Sequence, residues 1–143
     1  MPSPGVKARI DRFWRAIKRL EYLKSYDKDD FISNENLVDA CERNLQVAIE
    51  ALIDVGEALI SNMDWRTPKS YREVGVILKE NKVISKDDLK HFIELVKIRN
   101  ILVHNYVYIS PEKVYELAMK YTSILTTLIK RIIDFMDKVG IDP

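Results

Sequence analysis

Apolar residues recur at spacings of three and four along most of the chain, which is the period of an amphipathic helix. The first such run extends from about Val6 to Tyr26 and ends in a cluster of aspartates. The second follows Ser33 and Asn34, both competent helix caps, and continues to about Asn62. The apolar stripe of this second run is wide, which predicts a central helix that packs on two sides.

Three further helices are predicted in the second half. A short one runs from Tyr71 to about Glu80, and a fourth begins after the cap Ser85. The fifth has Ser110 as its cap, a proline at its first position and an end near Val139. No segment alternates as a strand does. The pattern therefore predicts an all-α, up-and-down bundle of four long helices and one short helix, in a single domain over 1–143 with its core at about 6–139.

The balance of charge limits how the protein can contact nucleic acid. The chain has 143 residues, of which 23 are basic and 22 are acidic, so an extended grip on phosphates is not expected. The first helix is an exception, with Arg12, Arg15 and Arg19 at helical spacing on one face. A solvated helix face is the preferred interpretation, and an auxiliary phosphate-binding strip is the alternative.

A single cysteine excludes an intrachain disulfide and any metal site built from several cysteines. Cys41 is in register with the leucines of the second helix, so we expect a small buried side chain and no catalytic thiol. The N-terminus has no signal-peptide pattern, and no apolar run has the length of a membrane span. We expect a cytoplasmic protein that does not associate with membranes.

Polar residues that can carry chemistry cluster where the fourth helix ends, in the sequence Arg99-Asn100-Ile-Leu-Val-His104-Asn-Tyr106. Arginine offers a permanently charged planar fork that suits a phosphate. Histidine can give or take a proton near neutral pH. Together they supply what metal-independent cleavage of a phosphodiester needs, because one group stabilises the charged intermediate and the other moves protons.

The spacing of the pair sets a condition on the structure. On an unbroken helix, side chains five residues apart point about 140° apart. Arg99 and His104 can therefore reach one phosphate only if the helix unwinds near Val103 or if a second subunit completes the site. A twofold homodimer that brings two such segments to its axis would form one shared groove.

The spacing Arg-Asn-x-x-x-His-x-Tyr resembles the motif of HepT toxins, which belong to the HEPN superfamily of helical ribonucleases. The resemblance extends over about residues 6–136. Residues 43–54 resemble the second helix of the family, residues 70–74 with Leu78 resemble the third, and residues 110–115 resemble the start of the last.

The resemblance implies a metal-independent endoribonuclease toxin that acts as a homodimer on RNA without a cofactor. Arg99 and His104 match the catalytic positions, and we expect Asn100 to support them by orienting His104 or the backbone. The implied partner is an antitoxin of the minimal nucleotidyltransferase (MNT) type, in a type VII toxin–antitoxin system. It would transfer AMP to Tyr106, and the added bulk and negative charge beside Arg99 would exclude an incoming phosphate.

Two other functions stay open on the residues alone. In the first, the chain is a non-catalytic helical binding subunit of a nucleotidyltransferase. In the second, it forms a structural dimer whose polar cluster seals an interface. Arg99 taken singly would be a salt-bridge former with Glu94 or a neighbouring helix, and His91 is expected to face solvent. Glu50 and Asp54 share a helix face without the histidines of a metal site, so they are expected to pair with Arg43 or with the first helix.

Overall fold

A computed structural model describes residues 5–104 and 108–141 of the chain. Over these residues it contains α-helices and no β-strand, which confirms the all-α class. The helices are α1 Val6–Lys24, α2 Lys28–Ile32, α3 Glu35–Asn62, α4 Tyr71–Glu80, α5 Lys86–Val103 and α6 Pro111–Lys138. Within the same ranges, none of the helices has both the length and the apolar character that a bilayer crossing requires.

The described part of the chain contains six helices where the sequence predicted five. The additional helix is α2, which forms within the aspartate cluster that was expected to end the first helix. Asp27 lies at its N-cap in an extended conformation, and Asp29 and Asp30 occupy the first turn, where the helix dipole favours negative charge. Phe31 anchors this turn, because its ring is 1% exposed and its centroid lies 5.3 Å from that of Tyr115 on α6.

Polar side chains cap the starts of the four helices from α3 onward. Each accepts a hydrogen bond from a backbone N–H of the first turn, and the four are Asn34, Ser70, Ser85 and Ser110. Ser85 forms a complete capping box, because the carboxylate of Asp88 accepts in return from the N–H of Ser85. Of the two predicted caps before α3, Asn34 is therefore the one used, while Ser33 ends α2.

Helix α3 is the centre of the bundle, as its wide apolar stripe predicted. It is 28 residues long and contacts each of the other helices. Cys41 on this helix is fully buried, as expected. Burial, assisted by the charge of Glu42, raises the pKa of the Cys41 thiol to about 12, so the group is protonated and unreactive at neutral pH.

Helix α4 approaches α5 closely at a glycine. A Cβ atom on Gly75 would lie 2.5 Å from Cδ1 of Phe92, whose ring is 1% exposed. A larger residue at this position would push α4 away from α5. The glycine therefore allows α4, whose first residue is Tyr71, to pack closely against α5, which carries Arg99 near its end.

Candidate active site

The guanidinium of Arg99 is bound to a carboxylate on the central helix. Its Nε donates a hydrogen bond to Oε2 of Glu50 over 3.0 Å, and the two side chains are 22% and 24% exposed. Of the two partners considered for Arg99, the neighbouring helix is the one observed. Glu94 instead accepts a hydrogen bond from the hydroxyl of Tyr121 on α6.

Two further contacts fix the same guanidinium. The ring centroid of Tyr71 lies 5.0 Å from Cζ of Arg99, within the range of a cation–π interaction. Nη1 of Arg99 donates to Oδ1 of Asn100 over 3.3 Å. Side chains from α3, α4 and α5 therefore converge on Arg99. Asn100, which was expected to orient His104 or the backbone, contacts the arginine in this structure.

The carboxylates of α3 pair differently from one another. Glu50 binds Arg99 and also accepts a weak hydrogen bond from Gln46, so the expectation that it pairs with Arg43 or the first helix is wrong. Asp54, as expected, interacts electrostatically with the first helix. Burial raises the pKa of Asp54, while the charges of Arg9 and Arg12 on α1 counter part of that rise.

The helix ends between the two predicted catalytic residues. Val103 is the last residue of α5, and His104 follows with an extended backbone, φ −89° and ψ 103°. The N–H of His104 donates to the carbonyl of Ile101 over 3.2 Å, and the residue is exposed. The end of the helix at Val103 meets one of the two alternative conditions that the spacing set. The separation of about 140°, which holds on an unbroken helix, therefore does not apply to this pair.

Other residues singled out by the sequence have different positions. Tyr106, the expected site of modification, lies outside the described residues. Tyr108 is 82% exposed. With Ile98, Ile101 and residues from the first half of α6, it lines a mainly apolar cavity of about 700 Å³ between the end of α5 and the start of α6. His91 was expected to face solvent, but it is half-buried on α5.

Sequence reasoning missed two residues of this site, Glu50 and Tyr71. Both lie in stretches that resemble helices of the HepT family, but nothing in the local pattern links them to Arg99. Glu50 is 49 positions away along the chain, so the contact depends on how α3 packs against α5. The one available signal was that Glu50 lies directly beside the apolar stripe of α3, where a carboxylate that becomes half-buried requires a partner.

Comparison with known proteins agrees with this fold. The chain matches the family described as Ribonuclease HepT-like over residues 14–132, most of its length. An all-helical bundle with an arginine and a histidine at one helix end is thus accompanied by a match to a class of helical ribonucleases. The chain belongs to the ribonuclease HepT-like family.

Two relatives illustrate the similarity in sequence. The chain is 30% identical over 98 residues to the mRNA nuclease HepT of Shewanella oneidensis, which covers 68% of this chain and 73% of the relative. It is 26% identical over 112 residues to the tRNA nuclease HepT of Aphanizomenon flos-aquae, covering 77% and 75%.

The fold is shared with a solved toxin–antitoxin complex. The structure of the tri-AMPylated Shewanella oneidensis HEPN toxin in complex with MNT antitoxin aligns with a TM-score of 0.82 at 24% identity. The alignment covers 92% of this chain and 98% of that one. The chain therefore shares its helical arrangement with that solved toxin over most of both chains.

Proposed function

We propose that this protein is the toxin of a type VII, HEPN/MNT toxin–antitoxin system and cleaves RNA without a metal ion. Arg99 and His104 are the catalytic residues, and Asn100 supports them. The observation that carries the proposal is the guanidinium of Arg99, held by Glu50 and Tyr71 just before the helix end at which His104 lies. A fixed cation next to a proton-transfer group suits stabilisation of a charged phosphoryl intermediate.

In the proposed reaction the 2′-hydroxyl of the RNA attacks the adjacent phosphorus. The bond between O2′ and phosphorus forms and the bond between phosphorus and O5′ breaks. The proton of the 2′-hydroxyl passes to a general base, and O5′ receives a proton as it leaves. His104 serves in this proton transfer and Arg99 binds the phosphate oxygens. The products are a 2′,3′-cyclic phosphate and a 5′-hydroxyl.

The proposed site lies in a groove shared by two copies of the chain. A homodimer would place two Arg99–His104 segments about one axis, which supplies two histidines for the two proton transfers. Support comes from apolar surface at the same end of α5, where Ile101 is 43% exposed and Tyr108, just after the helix, is 82% exposed. We expect Ile101→Asp to shift the protein from dimer to monomer in sedimentation velocity and to abolish cleavage, whereas Lys97→Ala leaves both unchanged.

The proposed partner is an MNT-type nucleotidyltransferase that adds AMP to Tyr106. Support comes from the relative of the same fold that carries AMP in a complex with such an antitoxin. Each AMP adds a negatively charged phosphodiester, which would compete with RNA for Arg99. Co-expression with the antitoxin should add multiples of AMP to the peptide that contains Tyr106. Tyr106→Phe should remove that mass shift, and Tyr108→Phe should leave it.

The central experiment measures cleavage of a defined RNA in the presence of EDTA. Arg99→Ala and His104→Ala should each abolish cleavage while the circular dichroism spectrum and the dimer persist. Lys97→Ala is the matched control, because it removes an exposed cation from the same turn of α5. Cleavage that survives in both catalytic variants defeats the assignment. Binding to an MNT protein by a wild-type chain that cuts no RNA identifies the non-catalytic subunit instead.

A further inference from the structure

We infer that Glu50 is a positioning residue, which fixes the orientation of Arg99 for the scissile phosphate. This inference rests on the proposed function, because it concerns the same site. It gives a residue of α3, which lies outside the sequence motif on α5, a role in the reaction. Tyr71 assists by covering one face of the guanidinium.

The carboxylate of Glu50 is well placed to hold another side chain still. Its neighbours Ile49 and Ala51 are 0% and 2% exposed, so this part of α3 is fixed by the core. Gln46, one turn earlier, donates to the same Oε2 atom that accepts from Arg99, over 3.4 Å. The acceptor is therefore attached to a rigid helix and held by a second contact.

The contact leaves one edge of Arg99 for a ligand. A guanidinium carries five N–H groups in a planar fork. Glu50 accepts a hydrogen bond from the single N–H of Nε, and Asn100 accepts one from an N–H of Nη1. In the part of the chain that the structure describes, Nη2 donates no hydrogen bond. The edge formed by Nη1 and Nη2 is thus the one that can present parallel donors to a phosphate.

A purely structural salt bridge accounts less well for this pair. Ion pairs that are partly exposed contribute little to stability, and each of these side chains retains more than a fifth of its exposure. A flexible arginine, by contrast, must be ordered before it can stabilise a transition state, and small displacements of a catalytic group cost rate. The benefit of Glu50 is therefore expected in the rate of the reaction.

The negative charge of Glu50 also defines the rival interpretation. A carboxylate beside the phosphate site repels RNA, so an inhibitory role predicts faster cleavage when it is removed. The positioning role predicts the reverse for kcat. It allows KM to stay constant or to fall, since removal of a negative charge strengthens the attraction of RNA. The split between kcat and KM therefore separates the two.

The experiment compares Glu50→Ala and Glu50→Gln with Glu57→Gln, which removes an equivalent half-buried acid from the same helix. With a short RNA in EDTA, Glu50→Ala should lower kcat about tenfold and raise KM less than twofold. Glu50→Gln keeps an acceptor oxygen and should recover about half of that loss on a logarithmic scale. Glu57→Gln should match the wild type.

A second readout does not depend on cleavage. The Nε–H resonance of Arg99 in a proton–nitrogen NMR spectrum should be resolved and slow to exchange in the wild type and in Glu57→Gln. In Glu50→Ala it should move to the position of solvated arginines and broaden. An unchanged kcat or a faster reaction in Glu50→Ala overturns the inference while the proposed function stands. A wild-type protein that cuts no RNA overturns both, whatever the spectrum shows.

Discussion

Arginines lie both on the face of α1 and at the end of α5, but the two regions hold them differently. Arg12, Arg15 and Arg19 on α1 are exposed, and among the described residues no ion pair joins them to a carboxylate. Arg99 is bound to Glu50, lies against Tyr71 and donates to Asn100. The first region offers charge, and the second offers charge at a defined position.

The difference shows why the number of cations is a poor guide to the site. Seven basic side chains lie within the first 24 residues, yet an exposed arginine in water contributes mainly long-range attraction, which salt screens. A cation fixed by its neighbours is already oriented toward the charge that develops in a transition state. We therefore expect substitutions on α1 to change mainly the binding of RNA, and those at Arg99 to change mainly the rate of cleavage and to have larger effects.

The largest effect is expected from a substitution that keeps the charge. Arg99→Lys retains the cation but loses both Nε and the planar fork, so it cannot bind Glu50 and a phosphate together. Cleavage of a short RNA should fall at least about 100-fold, a loss typical of removing one transition-state donor. Arg15→Lys is the matched change on α1 and should alter the rate less than about twofold. Equal effects of the two substitutions would contradict the distinction.

The next effect concerns the packing that brings α4 to Arg99. Gly75→Ala places a methyl group 2.5 Å from the buried ring of Phe92, so the free energy of unfolding in urea should fall by about 1–3 kcal/mol. Gly56→Ala is the milder control, because the added methyl group would lie 3.0 Å and 3.2 Å from its nearest side-chain neighbours, farther than the 2.5 Å at Gly75. If the two variants prove equally stable, α4 does not pack against α5 as described.

A smaller effect is expected when the face of α1 is neutralised. The triple variant Arg12→Gln, Arg15→Gln, Arg19→Gln should weaken RNA binding only a few-fold. The slope of log K against log salt should change by less than about 1. A phosphate-binding strip with three contacts would instead reduce the slope by about 2 for single-stranded RNA. A change of that size would assign RNA binding to α1 as well as to the end of α5.

The smallest effect involves the acid that faces α1. Burial, the dominant influence, raises the pKa of Asp54 in the folded state above its ordinary value of 3.8. A carboxyl group with a raised pKa favours folding when protonated. That contribution is present below pH 3.8 and is lost as pH rises through the higher folded-state pKa. At pH 7 Asp54→Asn should therefore raise the free energy of unfolding, by less than about 0.5 kcal/mol.

The dependence on pH provides the control for that prediction. Urea titrations of the wild type and Asp54→Asn should converge as the pH is lowered below 3.8, because both side chains are then neutral. A variant that is less stable than the wild type at pH 7 would show that attraction to Arg9 and Arg12 outweighs the burial of the carboxylate.

The sequence predicted the long helices because each has several turns of apolar residues at helical spacing. Helix α2 has five residues, too few for a period to emerge, and its aspartates resemble a helix stop as much as a start. The position of His104 could be predicted for a related reason, since polar residues marked the end of α5. The roles of Glu50 and Tyr71 could not be predicted, because their contacts with Arg99 exist only once α3, α4 and α5 pack together.

The most direct test of the account is the chemistry of the ends that cleavage produces. A synthetic RNA is incubated with the wild-type protein in EDTA, and the fragments are analysed by mass spectrometry. A second RNA carries a 2′-O-methyl group at the cleaved nucleotide. The account predicts a 2′,3′-cyclic phosphate and a 5′-hydroxyl, and no cleavage of the methylated RNA. Fragments with 3′-hydroxyl and 5′-phosphate ends, or cleavage that EDTA abolishes, would contradict it.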